Sequence, residues 1–211
     1  MTSMSDPVGH PSLETTQTAP VVGLEPDPVI DEYARGYEAV GRDVEALVRG
    51  LSDAQLNWRP SDGRWSIAEC IEHLTVTGTL YLAPLDRAID HGTQRALFGG
   101  RDYQPGWFDR WMIGQMEPPP RRKMRAPGKI RPPQRVAAAV QVIAEFSAVQ
   151  RALIERVRRA TALDLTRVKL RSPIVPLLRM SLGTWLGFIL AHERRHLWQA
   201  RQVRQELRFP S

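Results

Sequence analysis

Two histidines lie four residues apart near the C-terminal end of the chain, at positions His192 and His196. The apolar residues around them recur at helical spacing, so both imidazoles project from one face of a helix, about one turn apart. That face also carries Trp185 and Ile189, which directs the imidazoles toward the core. Two stacked, inward-facing histidines are typical of a shared metal ion. The alternative is that each ring satisfies an ordinary hydrogen bond in the core.

Residues 192–196 read His-Glu-Arg-Arg-His, which matches the H-E-x-x-H signature of zinc proteases. In such an enzyme Glu193 is the general base and a third metal ligand follows downstream. Only 15 residues follow His196, and their one acid, Glu206, continues the same helix and cannot fold back. The protease interpretation is therefore disfavoured. Glu193 is expected to be partly exposed among neighbouring arginines, namely Arg194, Arg195 and Arg201.

A further metal ligand must come from another element of the chain. His10 belongs to a tail without helical periodicity, and His91 lies near the end of a predicted helix. His73 lies at the edge of the apolar face of that same helix, which is predicted from residue 67 to about 89. Taken alone, His73 is typical of a helix-edge histidine with an ordinary hydrogen bond.

Three imidazoles converge if the helix of His73 packs beside the helix of His192 and His196. Three histidines with an open fourth position are typical of a catalytic metal site, whereas structural sites have four protein ligands. Zinc, nickel, iron and copper all accept imidazole, so the pattern does not identify the metal. Glu69, one turn before His73, is a candidate acceptor for a ring N–H.

Four substantial helices and no convincing strand are predicted. The predicted fold class is all-α, a four-helix bundle with long crossover connections. Residues 1–26 are rich in Ser, Thr, Pro and Gly and are expected to form a disordered tail, with the bundle domain at 27–208. Pro84 suggests a kink or an early end of the second long helix. The four long helices are predicted at 28 to about 50, 67–89, 133–160 and 182–207, with shorter helical turns at 52–56 and 105–116.

The composition is that of an ordinary globular protein. The 211 residues are 42% hydrophobic and 25% charged, and Cys70 is the single cysteine, so there is no internal disulfide. No run approaches the roughly 20 apolar residues of a membrane helix, and no signal peptide is evident, which favours a cytoplasmic protein without membrane association.

The net charge of +6 equals the charge of one proline-rich segment between Arg121 and Arg131. Arg121 and Arg122 are candidate contacts for an anion, although a solvated loop is the plainer interpretation. Nucleic acid binding is disfavoured because no recognition helix or stacking platform accompanies the basic run. Trp107 and Trp111 are candidate residues of a pocket mouth, with core packing as the alternative.

Three segments of the sequence resemble the DinB-like superfamily, the DNA-damage-inducible four-helix bundles. They are Asn57–Pro60, Gly63–Leu74 and Ala191–Ala200, which pair a W-S-x-x-x-x-x-x-H-L helix with a late H-x-x-x-H helix. The similarity runs from about residue 30 to 205. The resemblance implies a bundle that binds a divalent metal ion, zinc, nickel or iron, on His73, His192 and His196.

The superfamily includes thiol S-transferases, a thiol-dependent isomerase, hydrolase-like proteins and many proteins without an assigned activity. The resemblance therefore implies an enzyme in which the metal activates a low-molecular-weight thiol or water against a small electrophilic substrate. The alternative is a non-catalytic, metal-stabilised bundle that serves as a dimerising stress-response scaffold. A homodimer is expected in both cases, because dimers are common in the superfamily.

Overall fold

The computed structural model describes residues 27–99, 102–120, 126–133 and 136–211. The predicted N-terminal tail, residues 1–26, lies outside these ranges. The described part contains α-helices, one antiparallel pair of short strands and a 3₁₀ helix. The elements are α1 (Pro28–Val48), α2 (Asp53–Asn57), α3 (Ile67–Gln94), α4 (Trp107–Gly114), the 3₁₀ helix (Gly128–Ile130), α5 (Ala139–Arg159), β1 (Lys169–Arg171), β2 (Arg179–Ser181) and α6 (Leu182–Arg204).

The four long helices form the bundle. Helices α1 and α3 each pack against both α5 and α6, so α1 lies diagonally opposite α3 and α5 lies diagonally opposite α6. The predicted all-α bundle with long crossover connections is confirmed, because α1 and α3 occupy opposite corners, as do α5 and α6, although each pair is consecutive among the long helices. The packing of α3 on α6 is the contact that a three-histidine site requires. Within the described ranges, no helix is long and apolar enough to cross a membrane.

Local capping chemistry determines where three of the long helices begin. The Asp27 carboxylate accepts hydrogen bonds from the first turn of α1, with Pro28 at the first helical position. Ser66 and Glu69 form a capping box at the start of α3, with the Glu69 amide donating to Ser66 Oγ at 3.2 Å. Ser181 caps α6 by accepting from the Thr184 amide at 3.2 Å. These caps confirm the starts predicted from the sequence.

Pro84 does not end α3 early, which is one of the two effects predicted for it. The helix continues through it to Gln94. A proline removes one backbone hydrogen bond, but Pro84 lies on a partly exposed side of the helix, where water can bond to the freed carbonyl. Contacts with α5 flank this position, because Val149 packs beside Gly78 before Pro84 and Arg156 pairs with Asp86 after it.

The start of α5 was predicted too early, near residue 133. The helix begins at Ala139, and the valines nearest to this start, Val136 and Val140, are 84% and 81% exposed. A distant group fixes the start, because the Asp53 carboxylate of α2 accepts from the Ala139 amide at 2.9 Å. A local sequence pattern cannot reveal a cap that comes from another helix.

The strands β1 and β2 were not predicted. Each has three residues, and Leu170 pairs with Met180 in the antiparallel register. Three residues are too few to show an alternating pattern. The hairpin contributes to the core through the Leu170 carbonyl, which accepts a hydrogen bond from Trp185 Nε1 at 3.1 Å.

Candidate metal centre

The structure brings His73 of α3 together with His192 and His196 of α6. One ligand nitrogen from each ring lies within 4.8 Å of the others. The ring centroids are 5.0 Å apart for His73 and His192, 4.4 Å for His73 and His196, and 4.6 Å for His192 and His196. His73 and His196 are buried, whereas His192 is half-buried. The predicted convergence of the three imidazoles is therefore present in the fold.

Hydrogen bonding determines which His73 nitrogen faces its partners. The Nδ1 atom of His73 lies 2.6 Å from the Ile130 carbonyl oxygen. A carbonyl only accepts, so Nδ1 carries the proton and Nε2 of the neutral ring carries a lone pair. This lone pair faces Nε2 of His192 at 3.1 Å. At this distance His192 Nε2 either donates an N–H to the lone pair or, with a lone pair of its own, shares a cation with it.

The donor set fits a divalent metal ion. Two imidazole nitrogens bound to one tetrahedral zinc ion at about 2.0–2.1 Å lie roughly 3.3 Å apart, close to the separation of the two Nε2 atoms. His196 adds a third imidazole, and its Nδ1 is buried without a hydrogen-bond partner among the described residues. An imidazole set of this kind suits zinc, nickel or iron.

Burial keeps the three rings neutral at ordinary pH. It lowers the pKa of His192 to about 3, and the nearby charges of His73 and Arg195 lower it further. Burial also lowers the pKa of His196 well below its usual value. The pKa of His73 is lowered by burial, with the Ile130 carbonyl acting in the opposite direction. Neutral imidazole is the form that binds a metal ion.

We expect the metal-free protein to lose stability as the pH falls below about 6.5, the pKa of histidine in an unfolded chain. The unfolded chain then binds protons that the buried rings do not, so the free energy of unfolding decreases with decreasing pH. The pH dependence should be shallower for His192→Ala, because one such ring is missing. Urea unfolding of the chelator-treated proteins between pH 4.5 and 7.5 measures the difference. Equal pH dependence in both proteins would contradict the expectation.

Trp65 covers the rings from the start of α3. Its indole stacks on His196 at a centroid distance of 5.5 Å and contacts His73 at 4.9 Å. The structure adds a role that the sequence pattern did not show, because one tryptophan touches a candidate ligand on each of two helices.

The prediction that Glu69 accepts the ring N–H of His73 is wrong. Glu69 Oε2 accepts from the Ser66 amide at 2.9 Å and from Arg59 Nε at 2.8 Å, and Glu69 Oε1 accepts from Arg59 Nη2 at 2.5 Å. The capping box and the ion pair therefore occupy this carboxylate. The Ile130 carbonyl, and not the Glu69 carboxylate, lies within hydrogen-bond distance of the His73 ring nitrogen. A backbone carbonyl in an irregular segment leaves no signal in the sequence.

Ile130 lies at the end of the 3₁₀ helix in the proline-rich segment, with its side chain 7% exposed. We expect Ile130→Ala to weaken metal binding by about 10- to 100-fold, because the loosened carbonyl no longer orients His73. Ile174→Ala removes a half-buried isoleucine from the hairpin connection and is the matched control. Competition titrations with a chromogenic chelator measure both affinities. Equal affinities in the two variants would show that the carbonyl does not act on the site.

The environment predicted for Glu193 is also wrong. Its side chain is 2% exposed, and Glu193 Oε1 accepts from Gln150 Nε2 of α5 at 2.7 Å. Burial raises the pKa of Glu193 to about 8, while the Gln150 hydrogen bond opposes that shift. The neighbouring arginines point elsewhere, since Arg194 pairs with Glu117 and Arg201 pairs with Asp43. The error arose because α6 is buried on more than one face.

The structure does not bring Trp107 and Trp111 to the histidines. Trp107 and Trp111 are 77% and 53% exposed on α4, and their ring contacts in the described part of the chain are with Phe108. Arg121 and Arg122 lie outside the described residues.

Cys70 is buried, and burial raises the pKa of its thiol, so this cysteine is not a ready nucleophile.

Comparison with known proteins identifies the family. A sequence model of the DinB superfamily matches residues 37–200. The uncharacterized protein YuaE of Bacillus subtilis (strain 168) is 26% identical over 167 residues, which are 76% of this chain and 90% of YuaE. YfiT from Bacillus subtilis is described as a probable metal-dependent hydrolase with an unusual four-helix bundle topology. Its structure matches with a TM-score of 0.54 at 14% identity, covers 89% of this chain and 92% of YfiT, and confirms the fold. Because the family match spans most of the chain and includes all three histidines, the chain belongs to the DinB superfamily.

Proposed function

We propose that the protein is a metal-dependent enzyme in which His73, His192 and His196 hold one divalent ion. The observation that carries the proposal is the convergence of three neutral imidazoles, with His73 Nδ1 already committed to the Ile130 carbonyl. The description of YfiT as a probable metal-dependent hydrolase supports an enzyme of this general kind. When bound, a divalent ion with an open position acidifies a coordinated water or thiol and polarises an electrophile.

The residues of this chain contribute position and environment. The Ile130 carbonyl holds His73 in the tautomer whose lone pair faces the other rings, and Trp65 shields one side of them from water. Because Cys70, the single cysteine of the chain, is buried, a thiol nucleophile has to come from solution. The proposed reaction is attack by a low-molecular-weight thiol, or by water, on a small electrophilic substrate. The new bond to sulfur or oxygen forms as the bond to the substrate's leaving group breaks, and the nucleophile's proton passes to solvent. A thiol S-transferase-like reaction is preferred, with hydrolysis as its close variant.

The test is a turnover assay on protein loaded with zinc, nickel or iron. To measure thiol transfer, low-molecular-weight thiols of different charge are each supplied together with an electrophilic fluorogenic reagent. To measure hydrolysis, esters are supplied without a thiol. We expect thiol-dependent turnover that disappears on chelation and in His73→Ala. A fully metal-loaded protein without turnover on the whole panel would contradict the enzyme and favour the dimerising scaffold.

A further inference from the structure

Glu193 and Gln150 form a hydrogen-bonded pair inside the bundle. The two side chains are 2% and 4% exposed, and the Gln150 amide donates to Glu193 Oε1 at 2.7 Å. Their other oxygens, Glu193 Oε2 and Gln150 Oε1, are buried without a hydrogen-bond partner among the described residues. Buried polar atoms without hydrogen-bond partners cost stability. Packing alone would be served better by two apolar side chains.

The position of the pair suggests what it does. Helices α5 and α6 occupy opposite corners of the bundle, so the hydrogen bond crosses its centre. Glu193 follows His192 directly and therefore points about 100° away around the axis of α6. Apolar contacts are non-directional and tolerate a rotation of the helix. A short hydrogen bond is directional, so this one restrains the rotation of the segment that carries both histidines.

Two tyrosines of α1 already hold the first half of α6. The Tyr33 hydroxyl donates to the Gly183 carbonyl at 3.2 Å, and the Tyr37 hydroxyl donates to the Leu186 carbonyl at 2.9 Å. Both bonds lie at least one turn before His192. The bond from Gln150 reaches the turn where the two histidines lie.

We propose that the Gln150–Glu193 pair positions the metal centre by holding α6 at the rotation at which His192 and His196 face His73. The pair does this at a cost in stability. The inference rests on the proposed metal site and concerns residues that do not themselves bind the ion. Glu193 is a positioning residue in this proposal, and the zinc-protease role of a general base is not assigned to it.

The test compares metal affinity with stability. In the double variant Gln150→Leu, Glu193→Leu, we expect the affinity for Ni²⁺ to fall by about tenfold or more. We expect the melting temperature of the metal-free protein to be unchanged or higher, because no polar group is left unpaired. The exchanged variant Gln150→Glu, Glu193→Gln retains a donor facing an acceptor and should restore the affinity. If the double leucine variant does not fold, Gln150→Met replaces it. Methionine has a similar length but cannot donate the hydrogen bond to Glu193, so the affinity of this variant for Ni²⁺ should also fall.

Leu190→Ala is the matched control on the same helix. Leu190 is 3% exposed, so its truncation leaves a cavity and lowers the melting temperature, but the Gln150–Glu193 bond remains. Its affinity for Ni²⁺ should be unchanged. The positioning role would be overturned if the double leucine variant bound Ni²⁺ with full affinity. It would also be overturned if the exchanged variant did not restore the lost affinity. Failure of the unmodified protein to bind Ni²⁺, Zn²⁺ or Fe²⁺ would instead remove the proposed function and this inference with it.

Discussion

Replacement of His192 by alanine is expected to abolish stoichiometric metal binding. The variant loses one of three imidazoles and leaves two nitrogens, from His73 and His196, on different helices. Removal of a group that supports a metal ligand lowers the metal affinity by roughly 10- to 100-fold, and removal of the ligand itself lowers it more. We therefore expect the dissociation constant to rise by more than about a hundredfold. Elemental analysis of both proteins after the same loading and desalting measures the difference.

The exposed His91 provides the control for this substitution. It lies on α3, as His73 does, but near the end of the helix and apart from the cluster. His91→Ala should retain about one metal ion per chain, as the unmodified protein does. Equal and negligible metal in the unmodified protein and in His192→Ala would contradict the metal site.

Removal of the metal is expected to lower the melting temperature by about 10 °C. A ligand at 1,000 times its dissociation constant stabilises the folded state by about 4 kcal/mol. In a domain of this size, each kcal/mol shifts the melting temperature by about 2–4 °C. An ion held by His73 on α3 and by His192 and His196 on α6 would link the two helices, so its contribution would be lost when the bundle unfolds. Calorimetry with and without a chelator, at a fixed protein concentration, measures the shift.

The same chelator should have almost no effect on His192→Ala, because that variant has little bound metal to lose. A shift of equal size in both proteins would mean that the chelator acts elsewhere. A shift in the unmodified protein alone demonstrates binding at the three histidines but does not distinguish an enzyme from a scaffold. The turnover assay makes that distinction.

The elements that carry the histidines were predictable because local signals define them. Ser66 and Glu69 mark the start of α3, Ser181 marks the start of α6, and the i, i+4 spacing places His192 and His196 on one face. From the sequence, the packing of α3 beside α6 could only be stated as a condition for the site. In the structure the two helices do pack against each other. The three candidate ligands could therefore be named, although their convergence could not be derived from spacing.

The groups around the histidines could not be predicted, because they come from distant parts of the chain. The Ile130 carbonyl reaches His73 from a segment whose prolines predicted no regular structure, and Gln150 reaches Glu193 across the bundle. Glu69 was the obvious local acceptor, but its role in the capping box removes it from the site. Local chemistry thus determined the helices, whereas tertiary contacts determined the environment of the rings.

X-ray absorption spectroscopy of the zinc-loaded protein tests the three-histidine site most directly, because it reports the atoms bound to the ion. We predict about three imidazole nitrogens at about 2.0–2.1 Å, with the remaining position filled by a light atom from solvent. The imidazole count should fall to about two in His73→Ala. Coordination by sulfur, or a spectrum that His73→Ala leaves unchanged, would contradict a metal centre built from His73, His192 and His196.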